Sequence, residues 1–214
     1  MKFPNAYDGI SKIFLAELLA IVAAICTVIG AILVLSGVGA ESVGSEALGG
    51  GLAIGGGIFV LATAVLMVIS FILNILGVSH ASKDEEGFKS ALIAIIVGIV
   101  AVVVSAIFSK NLTLAAICSI ISKICEILVF WFCISGIINL AEKLRDNNVR
   151  NKAESLIKLI VGMYAVGIVL AIINAFVTFK PFLENVISVA AAVCSIIAYF
   201  MYLSLLSSAK RMLA

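Results

Sequence analysis

Glu17 is the residue whose type and position most clearly invite chemistry. It is the single charged group between Ile13 and Leu35, and a carboxylate inside an apolar helix must find a partner, stay neutral, or lose about 3 kcal/mol at the bilayer centre. On a helical wheel with Ala16 at zero, Thr27 falls at about 20°, Ala20 at 40°, Ala31 at 60°, Ala24 at 80° and Glu17 at 100°. Glu17 therefore borders a face of small side chains and is expected to look at protein rather than lipid. Lys89 and Lys158 are the expected partners by depth. The three residues form the candidate intramembrane polar site, either as a proton or cation contact or as a structural pair.

Lys123 and Glu126 are three residues apart, so they share one helix face and can pair; their position predicts an interfacial anchor. Asn74, Asn139 and Asn174 can bond across helices, each such bond being worth about 1 kcal/mol in a membrane. His80 is the one histidine and is expected in a solvated loop. Cys26, Cys118, Cys125, Cys133 and Cys194 lie in apolar tracts without CxxC spacing. They read as small buried hydrophobes, not as a disulfide framework or zinc site. No metal and no cofactor is expected. Neither a Ser/His/Asp set nor HExxH is present, so the sequence reads as a non-enzyme. Asn111 begins a formal glycosylation sequon, but it abuts an apolar tract.

These residues are carried by a chain that is 64% hydrophobic and only 12% charged, with a mean hydropathy of +1.29. A soluble domain has roughly 45–50% apolar and 25% charged residues. The net charge of +2 comes with no dense basic stripe, which sets nucleic acid aside. Apolar tracts near 13–35, 55–77, 89–109, 121–141, 156–177 and 185–206 each approach the ~20 residues a spanning helix needs. Ala91–Phe108 is continuously apolar apart from one serine, which excludes the alternation of a barrel strand. The expected fold is an all-α integral membrane protein, a six-helix transmembrane bundle making one domain of residues 1–214. The first tract is too long for a signal-peptide core, and Glu17 interrupts it, so it reads as a permanent helix.

With the N-terminus inside, 11 of the 14 Lys and Arg residues flank the inner ends of the spans, and only Lys110, Lys123 and Lys180 fall outside. That bias predicts cytoplasmic N- and C-termini in a plasma (inner) membrane. The connection from 37 to 57, with Glu41, Glu46 and two glycine triplets, is expected to be an irregular outer segment: a loop, a lid or a re-entrant piece.

The spans also repeat in pairs. Even helices leave through "SFILNILGVSHASK" and "SGIINLAEKL", with "LSLLSSAKRM" as a third copy; odd helices begin at "DGISK", "EGFKS" and "AESLIK". Three hairpins in the same orientation, related about an axis along the membrane normal, are expected. Small residues recur one turn apart on the odd helices: Ala16, Ala20 and Ala24; Ala94 and Gly98; Gly167, Ala171 and Ala175. Such faces let helix backbones approach closely, within the chain or against a partner. Size, helix count and the Ala16/Ala20/Ala24 stripe are similar to those of the substrate-binding subunits of energy-coupling-factor importers, a likeness of architecture alone. It implies a partner that docks on the first helix.

The functional expectation is a non-enzymatic multi-pass protein acting in the lipid bilayer as a membrane subunit, through a partner subunit or a homo-oligomer. The alternative is a small-solute transporter or the substrate-binding subunit of an importer.

Overall fold

The computed structural model describes the backbone of residues 2–42, 46–108, 112–176 and 181–214, and their side chains except at 37–42, 46–53, 112, 115–116, 164–176, 181–188 and 190–191. Six helices make up the described backbone: α1 Pro4–Ser42, α2 Glu46–Ala81, α3 Glu86–Ile107, α4 Leu112–Leu144, α5 Asn147–Phe176 and α6 Pro181–Leu213. Among the described residues no strand occurs. Within Pro4–Ser36, Ile54–Ala81, Glu86–Ile107, Ile117–Leu144 and Ala192–Leu213 there are five segments long and apolar enough to cross a membrane. An all-helical chain with several such helices points to a membrane protein. The apolar half of α5 lies outside the described side chains.

The helices overrun the tracts read from the sequence, because the two prolines, Pro4 and Pro181, both stand at helix starts and none interrupts the flanks. At about 1.5 Å per residue, the 39 residues of α1 reach well past a ~30 Å hydrocarbon layer. The clearest departure from expectation is the glycine-rich stretch. Instead of an irregular connection over 37–57, α1 continues to Ser42 and α2 starts at Glu46, so Gly55, Gly56 and Gly57 are helical. Each glycine weakens a helix by roughly 1 kcal/mol relative to alanine. At Gly56 that cost has a counterpart in packing, since a Cβ there would sit 2.9 Å from the carbonyl oxygen of Gly30.

The chain divides into two compact units, residues 11–77 and residues 1–10 with 78–214. In the first, α1 and α2 form a hairpin whose buried α1 line passes through Ala16, Ala23 and Gly30. The seven-residue spacing is that of left-handed helix packing. Ala20 is half-buried, whereas Ala24 and Ala31 are exposed. Two hydroxyls from α2 reach α1 carbonyls along this line. Ser70 Oγ donates to Ala16 O at 2.9 Å, and Thr63 Oγ1 lies 3.3 Å from Ala23 O.

In the second unit α3 packs along α4, α4 against α5, and α5 against α6. The α3–α4 contact is tightest where two glycines meet. A Cβ on Gly87 would lie 2.8 Å from Gly136 Cα, and one on Gly136 would lie 2.8 Å from the fully buried Phe88 ring. Farther along, Ala94 is buried and Gly98 approaches Cys125. Gly167, Ala171 and Ala175 fall outside the described side chains.

The α4–α5 turn is as short as two helices allow. Arg145 adopts φ 58, Asp146 N donates to Ala141 O at 2.9 Å and Arg145 N to Glu142 O at 3.1 Å, the paired bonds of a Schellman ending. The next residue starts a helix, with Asp146 Oδ1 accepting from the backbone of Asn148 and Val149 at 3.0 and 3.1 Å. Those are two of the donors a helix N-terminus leaves unsatisfied.

Candidate functional site

Polar side chains gather at the α2–α3 turn. Glu85 occupies the N-cap position of α3 in extended backbone, yet it makes no capping bond. Its carboxylate turns to α4 instead. There it accepts from Asn139 Nδ2 at 2.9 Å and forms an ion pair with Lys143 Nζ. Asn139 and Lys143 are one turn apart on the same face of α4, so one carboxylate engages both. The Glu85 side chain is 5% exposed and that of Lys143 is 50% exposed, so the pair runs from protein interior to the surface. Lys143 Nζ also lies 5.9 Å from the centroid of the Phe3 ring.

The neighbouring Asp84 serves a different helix. Its Oδ1 accepts from Asn5 Nδ2 at 2.9 Å and its Oδ2 from the Ala6 backbone N–H at 2.8 Å. Since α1 begins at Pro4, a residue suited to a first helical position, Asp84 supplies the N-terminal cap that the local sequence lacks and places negative charge at the positive helix end. His80, expected in a solvated loop, lies in the last turn of α2, 3.8 Å from the Asp8 carboxylate. Two adjacent acidic residues thus tie the first turn of α1 and the C-terminal stretch of α4 to one turn.

A second site lies among α4, α5 and α6, where a cavity of about 590 Å³ opens, within the ~300–1,000 Å³ range of small-molecule sites. From α4 it is lined by Lys123, Glu126, Phe130, Trp131 and Ile134, spaced to share one helix face. Ile157, Ile160 and Met163 come from α5, and Ser195, Tyr199 and Tyr202 from α6. Lys123 and Glu126 pair at 3.0 Å with side chains 73% and 59% exposed. At the other end Ile134 and Tyr202 are buried, and the Phe130 and Tyr202 rings meet edge to face at 5.2 Å. The groove therefore runs from an open, charged mouth to a closed aromatic and aliphatic floor.

Glu17 is half-buried and lies in the α1–α2 hairpin, where Asn74 Nδ2 donates to its Oε1 at 3.5 Å. Lys89 and Lys158 are exposed on α3 and α5. Lys158 stands close enough to Glu154 to favour that carboxylate's charged form. On the first turns of α5, Arg150 bonds Glu154 at 2.7 Å and Glu142 at 3.3 Å. The Glu154 hydrogen bond, with the charges of both glutamates, raises the Arg150 pKa. Among the described residues no group of three or more His, Cys, Asp or Glu side chains is arranged to hold a metal. Asn111 and Asn174 lie outside the described side chains.

Sequence reasoning did not pick out Glu85, Lys143, Gly87 or Gly136 as site or packing residues. The two glycines do occur inside the repeated stretches "EGFKS" and "SGIINLAEKL", and that shared placement is the signal that could have marked them. No protein-family model, curated protein or solved structure matches the chain.

Proposed function

We propose that this chain is a non-enzymatic multi-pass protein of the plasma membrane that acts as a membrane subunit, through a partner or a second copy of itself. The observation that carries this reading is how its polar and apolar groups are used. Thr63, Ser70, Asn74 and Asn139, polar side chains within the spans, join helix to helix, while only 6–28% of each apolar window is buried within the chain. The remaining apolar surface is available to lipid and to other membrane helices. Without a hydrophobic drive between them, such helices associate by close packing and hydrogen bonds.

The reading includes three hairpins in one orientation, each closed by a polar contact near its base. Asn74 reaches Glu17 across 57 residues of sequence, Asn139 reaches Glu85 across 54, and Lys152 Nζ donates to Ser208 Oγ across 56. The similar separations support a repeated unit. The basic asymmetry supports cytoplasmic ends.

Purification of the tagged chain in mild detergent, with cross-linking beforehand in the intact membrane, tests the proposal. A stoichiometric second polypeptide or a cross-linked dimer is expected; a monomer without partners in several detergents would overturn it. Cysteines placed at the exposed Lys83 and Arg211 in a cysteine-free background should resist an impermeant thiol reagent in sealed cells, and one at Lys180 should react. The α4–α5–α6 groove favours a second reading, that the protein binds a small molecule within the membrane.

A further inference from the structure

We infer that the α4–α5–α6 groove holds an acyl chain of a membrane phospholipid with a zwitterionic headgroup, the headgroup lying on the Lys123–Glu126 pair. The inference rests on the second reading above and gives its ligand a chemical class.

Depth is the first argument. Lys143, half-exposed and paired with Glu85, marks the inner polar boundary of α4. Lys123 lies twenty residues away on the same helix, a rise of about 30 Å, which is the thickness of the hydrocarbon layer. The Lys123–Glu126 pair therefore sits at the level of lipid headgroups in the opposite leaflet. From Lys123 to Ile134 the lining runs eleven residues, or about 16 Å, inward along the path that an acyl chain takes.

Polarity is the second argument. Past the charged mouth the walls are mostly apolar, Phe130, Trp131 and Ile134 from α4 and Ile157 from α5, beside Ser195, Tyr199 and Tyr202 of α6; they suit a hydrocarbon chain and hold no opposite charge for a charged solute. The mouth carries one cation and one anion 3.0 Å apart and so has no net charge. A headgroup with a phosphate and an ammonium matches both members: the phosphate accepts from Lys123 and the ammonium faces Glu126. An anionic headgroup would gain the first contact and be repelled by the second.

Trp131 is the sole tryptophan of the chain and lines the groove, so its fluorescence reads the occupant directly. The full chain is reconstituted in vesicles of equal parts phosphatidylcholine and phosphatidylglycerol, with either lipid in turn carrying bromine on its acyl chain. Brominated phosphatidylcholine is expected to quench Trp131 with about threefold preference, the scale of exposed charge contacts. Glu126→Gln leaves a lone cation and should reverse the preference toward phosphatidylglycerol. The double variant Lys123→Gln/Glu126→Gln should abolish it. Equal quenching by both lipids in the unaltered protein, or a preference unchanged in both variants, would overturn the inference. Quenching by acrylamide but by neither brominated lipid would also overturn it, while leaving a water-filled solute site standing. Protection from all quenchers would overturn both readings, because a protein segment would then fill the groove.

Discussion

Asn139 on α4 donates to the buried carboxylate of Glu85 at 2.9 Å, fixing one side of a charge whose other side is met by Lys143. Removing a partner from a buried charge costs more than the pair contributes, since the remaining ion keeps its desolvation penalty. Lys143→Met should therefore destabilise the protein by about 2 kcal/mol, the half-exposed lysine keeping the loss below that of a fully buried pair. Adding Glu85→Gln should recover part of that loss, because the neutral amide no longer needs the cation. Thermal unfolding in detergent checks both; a double variant no more stable than Lys143→Met would contradict the argument.

The α3–α4 contact leaves no room for a methyl group at either glycine. Gly87→Ala would press on the Gly136 backbone, which cannot move away without separating the helices. The expected loss is about 2–3 kcal/mol. Gly136→Ala meets the Phe88 ring instead, and pairing it with Phe88→Leu should restore some stability. Gly162 has nothing within 4 Å of an added Cβ, so Gly162→Ala should be neutral or slightly stabilising. Melting temperatures of the four variants give the ranking.

Arg145 holds a left-handed conformation at the end of α4, a region costing non-glycine residues about 1 kcal/mol. Arg145→Gly should raise stability by up to about that amount, and Arg145→Val should lower it. Asp146→Ala, which removes the cap of α5, should lose about 1 kcal/mol. Chemical unfolding monitored by circular dichroism measures all three.

The Arg150 hydrogen bond holds the Glu154 carboxyl below its ordinary 4.5. A depressed carboxylate pKa stabilises the fold above the unfolded value and loses that contribution as pH falls through the folded one. Between about pH 6 and pH 3 the unaltered protein should therefore lose slightly more stability than Glu154→Gln. Both groups are exposed, so added salt should shrink the difference. Equal slopes at low salt would show that the pair makes no contribution.

Helix type and number could be read from the sequence because they follow from local quantities. Continuous apolar tracts about as long as the bilayer is thick force backbone groups to bond within their own segment, and the six helices lie over the six tracts. The Lys123–Glu126 contact was legible for the same reason, since three residues of separation on a helix bring the two side chains together. Asn74 and Asn139 could be identified as bridging residues, although not their carboxylate partners.

What tertiary structure decided depends on which residues from distant segments meet. Alanines at 16, 20 and 24 look alike in sequence, yet the buried line runs through Ala23 and Gly30, because the partner helix selects a seven-residue repeat over a four-residue one. The glycine triplets looked irregular because glycine weakens an isolated helix, whereas in α2 Gly56 is the point at which two backbones approach. Asp84 and Glu85 are adjacent acids in one short turn. One caps a helix that starts nearly eighty residues earlier and the other is buried against α4. Hydropathy assigns each residue a solvent; it carries no information about which helix face a neighbour will cover, and that choice fixed the polar network and the groove.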